Sequence, residues 1–144
     1  MKVERFEDLD AWTVARELAN LIYSLSKIGE FARDYGFRDQ IQRASVSIMN
    51  NIAEGFERGS NKDFAKFLFI ARGSTGEVRS MLYLALDQKY ITDEQFKETY
   101  DLCVRESQLC WGLIKHLQKH SGWKTGTQIM LMMFIPALWR VQRF

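Results

Sequence analysis

Few side chains in this sequence are of the kinds that do chemistry, and their spacing argues against most of the reactions they could support. The two histidines, His116 and His120, stand four apart, a separation at which two imidazoles share a helix face and can hold a metal ion. No glutamate lies between them as in the metalloprotease arrangement, and no third ligand is evident. The paired Glu-x-x-His motifs of di-iron bundles are absent as well. The two cysteines, Cys103 and Cys110, are seven apart. On a helix they share a face but are separated by roughly 10 Å of rise, too far for a disulfide. They are expected as small buried apolar groups in a reducing cytoplasm. Cys110 precedes His116 by six residues, so the two diverge by about 120° around a helix and make a poor nucleophile–base pair. There is no Gly-x-x-x-x-Gly-Lys-Ser/Thr loop for a nucleotide. The expectation is a non-enzymatic protein without cofactor or metal.

What remains for specific work is a set of polar residues at helical spacing. Arg43, Ser47, Asn50 and Glu54 repeat every three or four positions beside an apolar stripe of Phe37, Ile41, Ala44, Ile48, Ile52 and Phe56. An arginine or glutamate at the edge of such a stripe is costly to dehydrate unless paired. This helix is therefore the one that needs particular partners.

Four helical segments frame it. The first is expected from about Asp8 to Lys27, with Leu9, Trp12, Ala15, Ala19, Ile22 and Tyr23 on one face and Val14, Leu18, Leu21 and Leu25 widening it. Gly29 and Gly36 punctuate the connection to the central helix, which opens at Asp34 or Phe37 and stops near Gly59. Ser60 to Asp63 approximates a capping box and starts a third helix, with a core stripe of Phe64, Phe67, Leu68, Ala71, Thr75, Val78, Leu82 and Ala85. Its middle, Arg72-Gly73-Ser74-Thr75-Gly76-Glu77, is poor for an isolated helix and suits the close approach of another. Thr92 to Gln95 is a second capping box, followed by a seam of Phe96, Tyr100, Cys103, Ser107, Cys110, Ile114 and Leu117. Short connections make neighbours antiparallel, so the fold class is all-α: an up-down-up-down antiparallel four-helix bundle over residues 1–121. In that topology positions summing to about 118 lie level, which predicts an Arg43–Glu77 interaction.

The chain has 144 residues, 47% hydrophobic and 26% charged, with one proline, which suits a single domain of long helices. The start, Met1 to Asp8, has no apolar core of a secretory signal. Residues 1–106 hold fifteen Lys or Arg against eighteen Asp or Glu, while the remainder holds five cations and no acid. Such asymmetry is expected either of contact with nucleic acid or an anionic membrane surface, or simply of a solvated helix end with a few tail charges. Residues 122–144 form an apolar, basic C-terminal extension. Its run from Ile129 to Trp139 is eleven residues, short of the roughly 20 that span a bilayer. It is expected to pack on the bundle or a second subunit, to attach at a membrane interface with help from Arg140 and Arg143, or to be a disordered, aggregation-prone tail.

Three stretches carry a family resemblance. Phe6-Glu7-Asp8-Leu9-Asp10-Ala11-Trp12, the Gln40–Gly55 segment with Arg43-Ala44 and Asn51-Ile52-Ala53-Glu54-Gly55, and Phe67-Leu68-x-Ile70-Ala71-Arg72-Gly73-Ser74-x-x-Glu77 together resemble the four-helix bundle proteins encoded by intervening sequences of bacterial 23S ribosomal RNA genes. The resemblance covers roughly residues 5–119. It implies a homopentamer and kinship with the accessory variability protein of diversity-generating retroelements, hence nucleic-acid binding, RNA or DNA, through basic surface residues. It also implies that Arg43, Asn51, Glu54, Ser74 and Glu77 form a structural polar network. A Phe-Pro pair usual between the first two helices is replaced around Gly29-Glu30-Phe31-Ala32, and the extension after Ser121 has no counterpart in the pattern.

The topology gathers the start of the first helix, the turn after the second and the end of the fourth at one pole. Lys2, Arg5, Arg58, Lys62, Lys66, Lys115, Lys119 and Lys124 meet there, with Glu4, Glu7, Asp8, Asp10, Glu54, Glu57 and Asp63. The candidate nucleic-acid contacts are Arg58, Lys62, Lys66, Lys115, Lys119 and Lys124. The alternatives are a structural or protein-interaction scaffold, and peripheral membrane association through the extension.

Overall fold

The computed structural model describes residues 3–120. A 3-10 turn over Phe6–Asp8 leads into α1 (Asp10–Leu25), a short α2 (Gly29–Arg33), and the long helices α3 (Tyr35–Glu57), α4 (Asn61–Asp87) and α5 (Asp93–His120). Among the described residues every regular element is helical. Helix α1 packs on α3 and α5, and α4 on α3 and α5, closing a four-membered ring of antiparallel helices. This is the expected bundle.

Local chemistry sets the helix ends. At α5 the capping box is reciprocal: the Gln95 amide N–H donates to Thr92 Oγ1 at 3.1 Å, and the Thr92 N–H donates to Gln95 Oε1 at 3.0 Å. At α4 the Asp63 N–H donates to Ser60 Oγ at 3.1 Å, but the shorter Asp63 side chain takes the Ser60 hydroxyl itself at 2.7 Å. Asp34 caps α3 by accepting from the Phe37 N–H at 3.1 Å, so Gly36 lies inside that helix and not in the connection. Just beyond α3 the chain turns at Gly59, whose φ of +73° is the left-handed conformation glycine favours. Helix α4 ends in a Schellman turn, with Tyr90 N–H donating to the Ala85 carbonyl and Lys89 N–H to that of Leu86. Lys89 holds the left-handed position at φ 60°.

The connection after α1 is more ordered than expected. Helix α2 drives Phe31 into the core, stacked on Tyr90 at 5.3 Å and tilted against Phe37 at 5.5 Å. The Tyr90 hydroxyl donates to Asp34 Oδ2 at 2.9 Å, tying this pole together.

The core runs along the axis through Leu18, Ile22, Ile41, Ile48, Ile52, Leu68, Leu82 and Ile114, all fully buried. Buried hydroxyls bond to their own helix: Ser45 to the Gln42 carbonyl, Thr75 to Ala71 and Thr99 to Gln95. The close helix approach expected along Arg72–Glu77 is made by Ser74, whose hydroxyl meets that of Ser47 on α3, and not by the two glycines of that run, Gly73 and Gly76. Space around both of those glycines is open, whereas a Cβ on Gly55 would stand 2.6 Å from Phe67 Cβ. Gly55 lets α3 lie against α4.

Candidate nucleic-acid interface

The pole expected from topology is assembled. A cleft of about 480 Å³ is lined by Val3 and Leu9 from the start of the chain, Phe56 and Phe64 flanking the α3–α4 turn, and His116 and Leu117 near the end of α5. Lys62, Lys66, Lys115 and Lys119 are exposed around this end and form no ion pair among the described residues. Arg58 differs. Its Nη2 donates to Glu54 Oε1 at 2.6 Å and its guanidinium lies 5.1 Å from the Phe67 ring centre. That hydrogen bond and the Glu54 charge hold Arg58 above its ordinary pKa. Arg5 binds Asp8 at 3.1 Å and holds its carboxyl below the usual range. Glu4, Glu7, Asp10 and Glu57 are exposed nearby. Lys2, Lys124 and the extension 122–144 lie outside the described residues, as does the side chain of His120.

The polar residues of α3 and α4 divide into separate groups. Ser47 Oγ and Ser74 Oγ meet at 2.9 Å, and Asn51 Nδ2 donates to the Ser47 carbonyl at 2.7 Å and to its Oγ at 3.0 Å. Glu77 accepts from Gln40 Nε2 at 3.3 Å, so the Arg43–Glu77 interaction expected from register does not form. Gln40 and Ser47 are seven apart and share the line facing α4, while Arg43 stands about 60° around the helix from Gln40 and is exposed. The register itself was right and the side chain wrong. Glu54 belongs with Arg58, one flank away.

Sequence reasoning missed a buried carboxyl. Glu106 is fully buried between Cys103 and Cys110, in the seam where Ser107 was expected. Cys110 Sγ donates to Glu106 Oε1 at 3.0 Å, and Oε2 has no partner. Burial pushes the Glu106 carboxyl up to about 7, against the opposing pull of the Cys110 hydrogen bond. Burial also pushes the Cys103 thiol up to about 12 and raises that of Cys110, so neither is poised as a nucleophile. Both are free and buried. Among the described residues no group of three His, Cys, Asp or Glu is placed to hold a metal ion. The spacing of 103, 106 and 110 at three and four was visible, but a glutamate is not an obvious core residue.

A second missed feature lies on the flank between α4 and α5. The Arg72 guanidinium sits 4.8 Å from the Trp111 ring centre, with Nε donating to Ser107 Oγ at 3.4 Å. Two turns along, Arg79 sits 5.1 Å from the Tyr100 ring, and its Nη2 donates to the Tyr100 hydroxyl at 3.2 Å. The buried Nε of Arg79 has no partner. Arg72, Arg79, Ser107 and Trp111 line a groove of about 220 Å³ together with Val104 and Gln108, and no carboxylate is among its described lining residues. Phe69, Tyr83 and Phe96 extend the aromatic surface at either end.

Comparison with known proteins follows the same lines. The family model described as 23S rRNA-intervening sequence protein matches residues 7–112. A crystal structure of a protein with unknown function from the S23 ribosomal protein family of Bacteroides thetaiotaomicron is similar to 73% of this chain and 95% of its own, at 25% identity and a TM-score of 0.67. No curated protein matches. Among the described residues no helix is long and apolar enough to cross a membrane.

Proposed function

Since this chain belongs to the 23S rRNA-intervening sequence protein family, we propose that it is a non-enzymatic, homo-oligomeric helical bundle of the cytoplasm that associates with RNA through basic surface residues. The observation carrying this reading is the group Lys62, Lys66, Lys115 and Lys119, exposed at one pole and without ion pairs among the described residues, while Asp8 and Glu54 beside them are engaged by Arg5 and Arg58. Unpaired ammonium groups are those that can release phosphate counterions on binding. The buried free thiols favour a reducing compartment.

The test is salt-titrated binding of the full chain to ribosomal RNA fragments. Replacing all four lysines by glutamine is expected to lower the slope of log affinity against log salt by up to about 3. Binding that ignores salt, or no binding at all, would remove the reading. Mass in solution tests the assembly, for which the family likeness suggests five copies; a monomer would end that part.

A second reading, a protein-interaction scaffold, draws on the exposed apolar residues of α4, Ile70, Tyr83 and Leu84, each more than 40% exposed. Retained oligomerisation without RNA affinity would favour it. Flotation with anionic liposomes tests peripheral membrane attachment through 122–144, and a protein that stays at the bottom of the gradient rules it out.

A further inference from the structure

We propose that the groove between α4 and α5 is a binding site for single-stranded RNA, in which Arg72 and Arg79 hold the backbone phosphates and the Arg72 guanidinium lying over Trp111 forms the platform for an unpaired base. The inference rests on the RNA reading above, but it concerns a different surface and a different kind of contact.

Each arginine is pre-set. Stacking on Trp111 and Tyr100 and hydrogen bonds to Ser107 Oγ and the Tyr100 hydroxyl fix the two guanidinium planes. A fixed planar fork loses little freedom when it takes a phosphate, unlike a lysine on a mobile stem. Arg72 uses only Nε in a side-chain hydrogen bond and Arg79 only one Nη2, which leaves donors in hand at both. The two stand seven residues apart on one helix flank, about 10 Å along the axis. Such a spacing suits successive contacts along a strand.

Charge selects the partner class. The described lining of the groove holds two cations and no carboxylate, and Asp101, the acid on the neighbouring turn, is engaged by Lys97 at 2.6 Å. An acidic polymer is complementary to such a lining. Aromatic rings alternating with arginines favour unpaired bases over a duplex, whose bases are stacked on each other and present no free face. Trp111 lies one turn before Lys115 on α5, so the groove leads toward the lysine pole.

The test compares wild type, Arg72→Lys/Arg79→Lys, Trp111→Ala, Trp111→Phe and the four-lysine variant. Each is titrated at one fixed salt against a labelled single-stranded RNA of about 20 nucleotides and against the same strand annealed to its complement. The double lysine variant keeps the charge and loses the stacked planes. It is expected to bind single strand at least about tenfold more weakly with a much smaller change for duplex. Trp111→Ala should behave likewise, Trp111→Phe should retain most of the affinity, and quenching of tryptophan emission by RNA should shrink in Trp111→Phe. Arg72→Lys alone serves if the double variant does not fold. Wild-type affinity in the arginine variants alongside a loss in the four-lysine variant overturns the groove and leaves the RNA reading standing. Equal losses for both RNA forms overturn the single-strand assignment. A fall in solution mass in the arginine variants assigns the groove to a subunit contact instead and overturns it. No RNA binding by wild type overturns both.

Discussion

Along its α3 side, helix α4 meets Gly55 with Phe67 and Ser47 with Ser74; along its α5 side it meets Trp111 with Arg72 and Tyr100 with Arg79. Small groups let α3 close against α4 until a missing Cβ is the spacer. Aromatic rings and guanidinium groups line the outer edge of the α4–α5 seam, where a groove lies on the surface, and α5 also carries a fully buried carboxyl, Glu106. One seam is therefore specified by the absence of atoms. The other is specified by planar groups, and its two guanidiniums have donors left over.

The sharpest way to break this contrast is at Glu106. Its folded pKa, raised to about 7, lies above the ordinary 4.5, so the folded state binds more protons than the unfolded state between those values. Stability is fully present below the unfolded pKa and falls as pH rises through the folded one. Glu106→Gln removes this dependence. Denaturant titrations at a series of pH values should show the variant gaining on wild type from pH 5 to pH 8 by about 2–3 kcal/mol. A pH-independent difference would mean that water or a cation reaches Oε2 and that the seam is not sealed.

Gly55→Ala tests the opposite seam. The added Cβ would stand 2.6 Å from Phe67 Cβ, at the rigid root of that side chain, so the helices must separate. We expect a loss of about 2 kcal/mol in chemical denaturation. The same change at Gly73 or Gly76, where space is open, should instead stabilise through helix propensity by up to about 1 kcal/mol. If all three glycines respond alike, the close contact at Gly55 is not what sets the α3–α4 spacing.

These two seams also explain what could be read in the sequence. The four long helices follow from apolar periodicity, and their ends from Ser60, Thr92, Asp34 and Gly59, because each of those residues acts on backbone within a few positions of itself. The level of α3 against α4 followed from turn length alone, and Ser47 meeting Ser74 agrees with it. Which side chain crosses a seam depends on rotation of each helix by tens of degrees. Gln40 rather than Arg43 reaching Glu77 is that kind of detail. Glu106 was hidden by its own residue type. Arg72 and Arg79 were hidden because their partners, Trp111 and Tyr100, lie on another helix and no local pattern links them. Phe31 was a loop residue in sequence terms, and its burial depends on Tyr90 far along the chain.

The turns that end these seams differ in the same sense, and the difference is open to a small, directional test. At the end of α3 the left-handed residue is Gly59, at φ +73°, and at the end of α4 it is Lys89, at φ 60°. Both turns need the same backbone, yet a Cβ in this region crowds the following carbonyl and costs roughly 1–2 kcal/mol. Glycine removes that strain but brings a more flexible unfolded chain, which offsets part of the gain. Lys89 is exposed and forms no side-chain hydrogen bond or ion pair among the described residues, so little else is lost on replacing it. Lys89→Gly should therefore raise the denaturation midpoint by an amount worth about 0.5–1 kcal/mol, and Gly59→Ala should lower it by a similar amount. A Lys89→Gly variant no more stable than wild type would show that the Tyr90 and Leu86 hydrogen bonds of the α4 turn already tolerate a side chain there, and that the α5 seam, not the turn, fixes its geometry.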